Sequence, residues 1–183
     1  MKLVILDRDG VINEDSPDYI RSPAEWKPIP GSLEAIARLN QAGWQVVIAS
    51  NQSGIARGHF DVETLHAMHQ KMQRLLEPMG GHVDAIFFCP HGPDDGCACR
   101  KPKPGLFHDI ATRLHVDLLG VPAVGDSLRD IEAAAAVGAH GVLVRTGKGA
   151  ATVAKGKVPE GTPVFDDLAS FVDDLLWSDE GRT

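Results

Sequence analysis

The chain is poor in aromatic side chains, in cysteine and in long apolar runs. Phe, Trp and Tyr make up 5% of its 183 residues, and it contains three cysteines. No apolar run approaches the roughly 20 residues of a membrane-spanning helix. Near the N-terminus, the apolar run Leu3 to Leu6 ends at the charged residue Asp7. This run is too short for the core of a signal peptide. These absences argue against a membrane-spanning protein and a disulfide-linked scaffold, and they favour the cytoplasm.

Positive charge is also in short supply. The 18 Lys and Arg residues are outnumbered by 25 Asp and Glu residues, which gives a formal net charge of −7. General binding to nucleic acids or to an anionic membrane surface requires an excess of basic residues, so the sequence predicts neither partner. An anionic substrate must instead meet a local group of basic side chains.

Short apolar runs alternate with helical patterns along the chain. The length and composition suit one globular domain, which we place at 1–183. The apolar runs predict strands at 2–6, 44–49, 85–89, 121–125 and 141–144. Helical spacing predicts helices from a Ser32 cap to Gly43, from an Asp61 cap through Met79, and at 106–114, 126–137 and 166–176. The alternation predicts parallel βαβ units in a single doubly wound α/β sheet, with 147–163 as a loop.

Two predicted loops, 11–31 and 90–105, are long for connections in such a fold. Loops of this length in compact domains are usually functional or disordered. Each follows a strand, so each is expected at the edge of the sheet where ligands bind. Only 22 residues separate Asp9 from Ser32. We therefore predict that no cap domain covers the site.

Two carboxylates follow the first predicted strand directly. Asp7 and Asp9 come after the apolar run Leu3 to Leu6, and Gly10 closes the turn. Neighbouring carboxylates repel each other unless a cation or a proton lies between them. The pair therefore indicates a Mg²⁺ site, although Asp is also a common residue of ordinary turns.

Further polar residues follow the other predicted strands. The carboxyl ends of parallel strands meet at one edge of a sheet, so these side chains are expected to lie together with the first pair. They offer further carboxylates, hydroxyl donors and fixed cations, which are the groups that phosphoryl transfer requires. The residues are Ser50, Asn51, Gln52, Ser53, Arg100, Lys101, Lys103, Asp126, Ser127, Arg129 and Asp130.

The three cysteines lie close together beside a histidine. Cys89, His91, Cys97 and Cys99 form the ligand set of a closed structural Zn²⁺ site. Such a site would fold a loop that has little apolar core of its own and would take no part in the chemistry. The alternative is three reduced cysteines and a surface histidine. A redox role is less favoured because one residue, and not two, separates Cys97 from Cys99.

These motifs resemble those of the haloacid dehalogenase (HAD) superfamily of phosphohydrolases. Four motifs occur in the family's order, each after a strand, and the resemblance spans about 2–146. Within the superfamily the chain is most similar to the subfamily of heptose bisphosphate and histidinol phosphate phosphatases. The matching stretches are Asp7-Arg8-Asp9-Gly10-Val11-Ile12-Asn13, Ser50-Asn51-Gln52-Ser53-Gly54-Ile55-Ala56-Arg57-Gly58, Cys89-Pro90-His91, Cys97-Ala98-Cys99-Arg100-Lys101-Pro102-Lys103-Pro104-Gly105 and Gly125-Asp126-Ser127-Leu128-Arg129-Asp130.

The resemblance implies catalytic roles for five residues. Asp7 would attack phosphorus to form an aspartyl-phosphate, and Asp9 would act as the general acid and base. Mg²⁺ would be held by the Asp7 carboxylate, the Asp9 backbone carbonyl and Asp126. Ser50 and Lys101 would stabilise the transferred phosphoryl group.

The resemblance also implies a substrate-binding set around this centre. Asp130 would orient the metal ligands, and Arg100 would contact the substrate, including its second phosphate. Relatives can carry Lys where this chain has Ser127, so Arg129 is a candidate to replace that cation. The substrate-binding residues would be Asp15, Ser16, Pro17, Asp18, Ser50, Asn51, Gln52, Ser53, Arg57, Arg100 and Lys101.

The implied activity is Mg²⁺-dependent hydrolysis of the C7 phosphate of D-glycero-D-manno-heptose 1,7-bisphosphate. The product, heptose 1-phosphate, would serve nucleotide-heptose and lipopolysaccharide core biosynthesis. A monomer acting on a small sugar bisphosphate is expected. The alternative within the subfamily is hydrolysis of histidinol phosphate. A phospho-receiver signalling domain is the alternative from another class, since it also accepts phosphate on an Asp beside an acidic cluster.

Overall fold

The computed structural model describes residues 1–181, and its centre is a six-stranded parallel sheet. Arg182 and Thr183, the end of the predicted domain range, lie outside the described residues. The strand order is β3-β2-β1-β4-β5-β6. The strands are β1 (Leu3–Leu6), β2 (Gln45–Asn51), β3 (Ala85–Cys89), β4 (Pro122–Gly125), β5 (His140–Val144) and β6 (Val164–Phe165). The helices are α1 (Ser32–Gln41), α2 (Val62–Leu76), α3 (Gly105–Leu114), α4 (Leu128–Ala135), α5 (Gly149–Ala154) and α6 (Leu168–Glu180).

Helices cover both faces of the sheet, which confirms the predicted doubly wound α/β fold. Side chains alternate along a strand, so successive residues of β1 face opposite helical layers. Val4 and Leu6 join the core formed with α1, α2 and α6. Leu3 and Ile5 join the core formed with α3 and α4. Because both faces are buried, the strands appear in the sequence as continuous apolar runs.

The order of the strands places the ligand site between β1 and β4. The chain proceeds from β1 outward to β2 and β3, and then returns to add β4, β5 and β6 on the other side. Ligands of open α/β sheets bind at such a reversal, beyond the carboxyl ends of the strands. Asp7 follows β1 and Asp126 follows β4, so the topology puts these two carboxylates at that position.

The segment 147–163 is more ordered than its sequence indicated. Helix α5 occupies Gly149–Ala154. Directly after this segment, β6 (Val164–Phe165) extends the sheet next to β5. The prediction of a loop is therefore wrong in part, and one strand was missed. A two-residue edge strand and a six-residue helix carry too little periodic pattern to be distinguished from a loop.

Two predicted helix caps had different outcomes. The Asp61 carboxylate accepts a hydrogen bond from the Thr64 backbone N–H at 2.8 Å, which confirms the cap of α2. Ser32 is instead the first residue of α1, and its hydroxyl donates to the Val11 carbonyl at 2.8 Å. This buried hydrogen bond ties the long first loop to α1. None of the helices within residues 1–181 has both the length and the apolarity required to cross a membrane.

Candidate active site

Lys101 lies between the carboxylate of Asp7, which follows β1, and that of Asp130, in the first turn of α4. Its Nζ is 3.1 Å from Asp7 Oδ1 and 2.6 Å from Asp130 Oδ1, and it donates to the Ala49 carbonyl at 2.7 Å. The Lys101 side chain is almost fully buried. Burial opposes its charge, but Asp130 and Asp7 outweigh that effect and raise the pKa of Lys101. It is therefore a fixed cation beside Asp7, as predicted for stabilising an anionic phosphoryl group.

The negative charge around Asp7 exceeds the positive charge that Lys101 supplies. Burial and the charge of Asp130 raise the pKa of Asp7 well above its usual value, with smaller contributions from Asp126 and Asp9. Lys101 acts in the opposite direction. Such a cluster ionises fully only when a further cation is present. The electrostatics therefore suit a site that binds a metal ion.

Asp130 uses both of its oxygens within the protein. Oδ1 accepts from Lys101, and Oδ2 accepts from the Asp126 and Ser127 backbone N–H groups and the Ser127 hydroxyl. Burial opposes ionisation of this side chain, but Lys101 and these hydrogen bonds lower the pKa of Asp130. Gly125 permits the close approach, because a Cβ there would lie 2.2 Å from the Asp130 Cβ. Asp130 is thus occupied in holding Lys101 and the Asp126 backbone.

Among residues 1–181, one oxygen of the Asp126 carboxylate has no protein donor. Its Oδ2 accepts the Lys148 backbone N–H at 2.9 Å. Burial and the charge of Asp130 raise the pKa of Asp126 to about 7. The side chain packs against Gly10, whose φ is 84° and where a Cβ would lie 2.0 Å from Oδ2. Any side chain at that position would displace the carboxylate.

Three carboxylates come close enough to surround a divalent cation. One oxygen from each of Asp7, Asp126 and Asp130 lies within 4.8 Å of the others. Because Asp130 is saturated with donors, Asp7 and Asp126 are the two that remain for a metal. Mg²⁺ is bound in proteins by one or two carboxylates together with water and substrate phosphate. The donor set therefore fits Mg²⁺.

A cage of hydrogen bonds fixes the Asp9 side chain. Arg8 donates through Nε at 2.9 Å and Nη2 at 2.7 Å, and Asn13 donates at 2.9 Å, all to Oδ1. Gln52 donates to Oδ2 at 3.2 Å. Burial favours the neutral acid, but the Arg8 charge and these donors outweigh burial and lower the pKa of Asp9. The cage leaves Asp9 little freedom to rotate.

The residues at the end of β2 divide into those that line the site cavity and those behind it. Asn51 and Ser53 line a cavity of about 210 Å³ together with Asp7, Asp9 and Lys101. Ser50 and Gln52 are almost fully buried behind its wall, where the Gln52 amide donates to the Ser50 hydroxyl at 2.8 Å. Their predicted contacts with substrate are untested and remain predictions.

The first loop contributes to the cavity in a register slightly different from the prediction. Asp15, Ser16 and Pro17 line the cavity, and Tyr19 lines it where Asp18 was predicted to do so. Asp18 is exposed and donates its backbone N–H to the Ser16 hydroxyl at 3.1 Å. The turn at Ser16 leaves the Asp18 side chain outside the cavity lining, and the loop sequence alone does not reveal this.

Four cations besides Lys101 line the same cavity. They are Arg57, Arg100, Arg129 and Lys148. Burial lowers the pKa of Arg100, and the nearby charges of Arg129 and Arg57 lower it further. Lys148 Nζ lies 3.5 Å from Asp15 Oδ2. In a chain of net charge −7, this is the local concentration of positive charge that an anionic substrate requires.

The cysteine-rich loop gathers its four predicted metal ligands. One ligand atom from each of Cys89, His91, Cys97 and Cys99 lies within 4.8 Å of the others. The Cys89 and Cys97 sulfurs are 3.7 Å apart, close to the edge of about 3.8 Å in a tetrahedron with 2.3 Å Zn–S bonds. The Cys89 and Cys99 sulfurs are 2.8 Å apart, closer than this edge. This group can hold structural Zn²⁺.

The same loop is joined directly to the end of β2 through Lys101. Asn51 donates its side-chain amide to the Lys101 carbonyl at 3.1 Å and accepts the Lys101 N–H at 3.0 Å. Cys89 ends β3, and its carbonyl accepts the Gln52 N–H at 2.8 Å. The metal loop and the end of β2 thus hold Lys101 from two sides.

Three contributors to the site escaped the sequence reasoning. Arg8 is fully buried yet aims its guanidinium at Asp9, and Tyr19 and Lys148 line the cavity. Lys148 follows β5 closely, so its place after a strand was a usable signal. For Arg8 and Tyr19 the sequence offers no comparable pattern.

A larger depression of about 720 Å³ lies elsewhere, beside α2 and β3. It is lined by His66, His69 and Phe88 among others and contains none of the strand-end carboxylates. The 210 Å³ cavity, although smaller, carries the charged groups and lies at the topological switch point. We therefore take the smaller cavity as the active site.

Comparisons with known proteins agree with this site. A family model for polynucleotide kinase 3 phosphatase matches residues 2–127, and a HAD-hydrolase-like model matches 98–171. The D-glycero-beta-D-manno-heptose-1,7-bisphosphate 7-phosphatase of Bordetella bronchiseptica is 64% identical over 176 residues, which are 96% of this chain and 98% of that protein. The protein of the same name from Pseudomonas aeruginosa is 59% identical over 174 residues, covering 95% of this chain and 97% of that one.

A solved structure extends the similarity to the fold. It is the crystal structure of D,D-heptose 1.7-bisphosphate phosphatase from B. bronchiseptica complexed with magnesium and phosphate. It matches with a TM-score of 0.95 at 63% identity and covers 97% of this chain and 99% of that chain. Because the similarity runs almost from end to end, this chain belongs to the HAD superfamily and, within it, to the family of the D-glycero-beta-D-manno-heptose-1,7-bisphosphate 7-phosphatases.

Proposed function

We propose that the protein is a Mg²⁺-dependent phosphatase that removes the C7 phosphate from D-glycero-D-manno-heptose 1,7-bisphosphate. One observation carries the proposal: the 64% identity over 96% of the chain to a relative that bears this activity in its name. The geometry of the site supports it, since a buried cation, three carboxylates and four peripheral cations suit a small, doubly phosphorylated substrate. The product would be heptose 1-phosphate, a precursor for lipopolysaccharide.

In the first half of the proposed reaction, the Asp7 carboxylate attacks phosphorus. The bond between phosphorus and the sugar oxygen breaks, and Asp9 gives that oxygen a proton. Asp9 must be protonated for this step, although Arg8 lowers its pKa in the free protein. A phosphate dianion placed beside Asp9 raises that pKa, so substrate binding itself favours the acid form.

In the second half, Asp9 acts as the general base. It takes a proton from a water molecule, the water oxygen attacks the aspartyl-phosphate, and the bond from phosphorus to Asp7 breaks. Inorganic phosphate leaves and Asp7 is regenerated. The hydrogen bonds from Arg8, Asn13 and Gln52 support both halves, because they keep the Asp9 carboxylate in one orientation.

Both metals have defined places in this proposal. Asp7, the Asp9 backbone carbonyl and Asp126 would hold Mg²⁺, which when bound supplies positive charge to the phosphoryl oxygens. Asp130 orients Lys101 and Asp126. Zn²⁺ on the cysteine-rich loop would serve folding and would take no part in the reaction.

The remaining residues would bind and orient the substrate. Ser50 and Lys101 would stabilise the phosphoryl group, and Arg100 would meet the second phosphate bidentately. The proposed substrate set keeps the predicted members Asp15, Ser16, Pro17, Asp18, Asn51, Gln52, Ser53 and Arg57. We further propose one domain acting as a monomer in the cytoplasm, without nucleic-acid or membrane partners; the net charge of −7 supports the last point.

A substrate panel tests the proposal. Phosphate release would be measured with both anomers of heptose 1,7-bisphosphate, fructose 1,6-bisphosphate, histidinol phosphate and a 3′-phosphorylated oligonucleotide. We expect heptose bisphosphate to give the highest kcat/KM. A higher value for histidinol phosphate or for the oligonucleotide would overturn the assignment, and the absence of steady turnover would favour a phospho-receiver.

A pair of variants tests the nucleophile in the same assay. Asp7→Asn should abolish turnover while the protein remains folded. Asp109→Asn removes one negative charge from the exposed surface of α3 and should leave kcat unchanged. Substantial turnover by Asp7→Asn would contradict the mechanism.

A further inference from the structure

Tyr19 adopts an unusual backbone conformation at the mouth of the active site. Its φ is 67°, in the left-handed region that bulky residues rarely occupy. The turn that places it there is closed by a hydrogen bond from the Tyr19 N–H to the Ser16 carbonyl at 3.2 Å. A strained residue persists where its surroundings hold it, and such residues cluster at functional sites. The contacts of its side chain therefore call for an explanation.

The Tyr19 ring joins the first loop to the loop between β2 and α2. It packs against the His59 ring, with 4.9 Å between centroids and 40° between planes. The Arg57 guanidinium carbon lies 5.8 Å from the Tyr19 ring centroid, within the range of a cation–π contact. The stabilisation that these two contacts provide is of about the same order as the energetic cost of the backbone strain at Tyr19. The arrangement adds little to stability, so its value lies in the position it gives Arg57.

Arg57 lies among arginines that have no ion-pair partner within residues 1–181. Tyr19, Arg57, Arg100 and Arg129 all line the cavity that contains Asp7. None of the three guanidiniums has a carboxylate within ion-pair distance among residues 1–181. Three unpaired guanidiniums repel one another unless an anion lies between them, and phosphate matches their planar donors.

We propose that Tyr19 is a positioning residue, which holds Arg57 so that it meets the second phosphate of the bisphosphate together with Arg100 and Arg129. This inference rests on the function proposed above and adds the origin of the preference for a bisphosphate. Without the ring, Arg57 is a long exposed side chain that loses rotamer freedom on binding. Tyr19 removes that cost before the substrate arrives. Its loss should therefore weaken binding of the bisphosphate and leave phosphoryl transfer intact.

The test compares Tyr19→Leu with Tyr19→Phe on two substrates. One substrate is heptose 1,7-bisphosphate, and the other is p-nitrophenyl phosphate, which has no second phosphate. Tyr19→Leu should raise KM for the bisphosphate about tenfold, a loss of about 1.4 kcal/mol, with kcat within about twofold. It should leave kcat/KM for p-nitrophenyl phosphate unchanged. Tyr19→Phe keeps the ring and should retain the bisphosphate preference.

A double-mutant cycle with Arg57→Gln distinguishes positioning from general destabilisation. If Tyr19 acts through Arg57, the double variant should bind the bisphosphate no worse than Arg57→Gln alone. His115 offers a matched control, because its φ of 53° is also left-handed and it lies at the end of α3. His115→Gly and Tyr19→Gly both relieve backbone strain, but only the second should lose the bisphosphate preference.

Two results would overturn the inference. One is an equal loss of activity on both substrates in Tyr19→Leu, and the other is full additivity of the Tyr19 and Arg57 effects. A wild-type protein with no preference for heptose bisphosphate would instead refute the proposed function. A wild-type preference that survives in Tyr19→Leu would refute only the role of Tyr19.

Discussion

The protonation of Asp126 should control how the stability of the Mg²⁺-free protein depends on pH. Burial and the charge of Asp130 raise the pKa of Asp126 to about 7, from its ordinary value of 3.8. Between these values the folded protein keeps a proton that the unfolded chain has released. The stabilisation that this proton provides is complete below the unfolded pKa and is lost as pH rises through the folded pKa. Asp7 has a pKa shift in the same direction.

Another buried group masks this trend in the wild-type protein. Burial and the charge of Arg8, which donates to His69 Nε2 at 3.2 Å, lower the pKa of His69 to about 3 from 6.5. The unfolded chain therefore protonates at this histidine while the folded protein does not, so His69 increases stability as pH rises toward the unfolded value. The two slopes have opposite signs over nearly the same range. A single pH profile of the wild type therefore does not isolate the contribution of Asp126.

The comparison with Asp126→Asn isolates the carboxylate, because Asn is a neutral analogue and leaves His69 in place. One pKa unit corresponds to about 1.4 kcal/mol, so the full shift of Asp126 amounts to about 4 kcal/mol. Between about pH 5.5 and 7.0 the unfolding free energy of the wild type minus that of the variant should fall by about 2 kcal/mol. Urea denaturation of zinc-loaded, Mg²⁺-free protein measures this, with the zinc content checked at each pH because thiolate ligands bind protons in acid.

Added Mg²⁺ should stabilise the folded wild type more at high pH than at low pH. The metal competes with the proton, so 100 times its Kd should stabilise the protein by up to about 2.7 kcal/mol at pH 8 and by much less at pH 5.5. Asp126→Asn should respond weakly at both. A difference between wild type and variant that stays constant with pH would refute the reasoning, and so would an equal response to Mg²⁺ at both pH values.

Two further substitutions test the metal loop and the fixed cation. Cys97→Ser should lower the zinc content and the unfolding temperature before it affects kcat at low temperature, because Zn²⁺ provides folding energy to the loop. Metal analysis and thermal denaturation measure these two quantities. Full zinc occupancy at an unchanged unfolding temperature would contradict the assignment. Lys101→Met leaves Asp7 and Asp130 buried without their cation, so unfolding should become easier by about 3–5 kcal/mol and kcat should fall about 100-fold or more. A variant of Lys101 with normal kcat in a phosphate-release assay would show that the cation is dispensable.

The apolar runs and helical patterns were sufficient to predict the central sheet and most of the helices. Strands such as β3, predicted at 85–89 and found at Ala85–Cys89, are buried on both faces, and continuous burial requires continuous apolar sequence. The prediction was wrong where an element is short or where a side chain serves another part of the chain. Helix α5 and strand β6 were missed, and Ser32 bonds to Val11 where a local cap was expected.

The candidate site shows the same division between local and long-range information. Asp7, Lys101, Asp126 and Asp130 follow their strands closely in sequence or belong to long motifs, so their types and order were readable, and the structure brings them together. The four candidate ligands of the metal loop were equally readable, since they fall in one short segment. Their chemical roles remain predictions that the experiments above test.

The sequence by itself determined the α/β class, the carboxylate motif after the first strand and the metal-binding composition of the loop. Each depends on residues that are neighbours in the chain. Only the tertiary structure decided that Arg8 holds Asp9, that Tyr19 lies in the cavity in place of Asp18, and that the Lys148 backbone reaches Asp126 from the loop after β5. These relations depend on distances between segments far apart in sequence and on the direction of single side chains. Packing fixes both, and no local pattern records them.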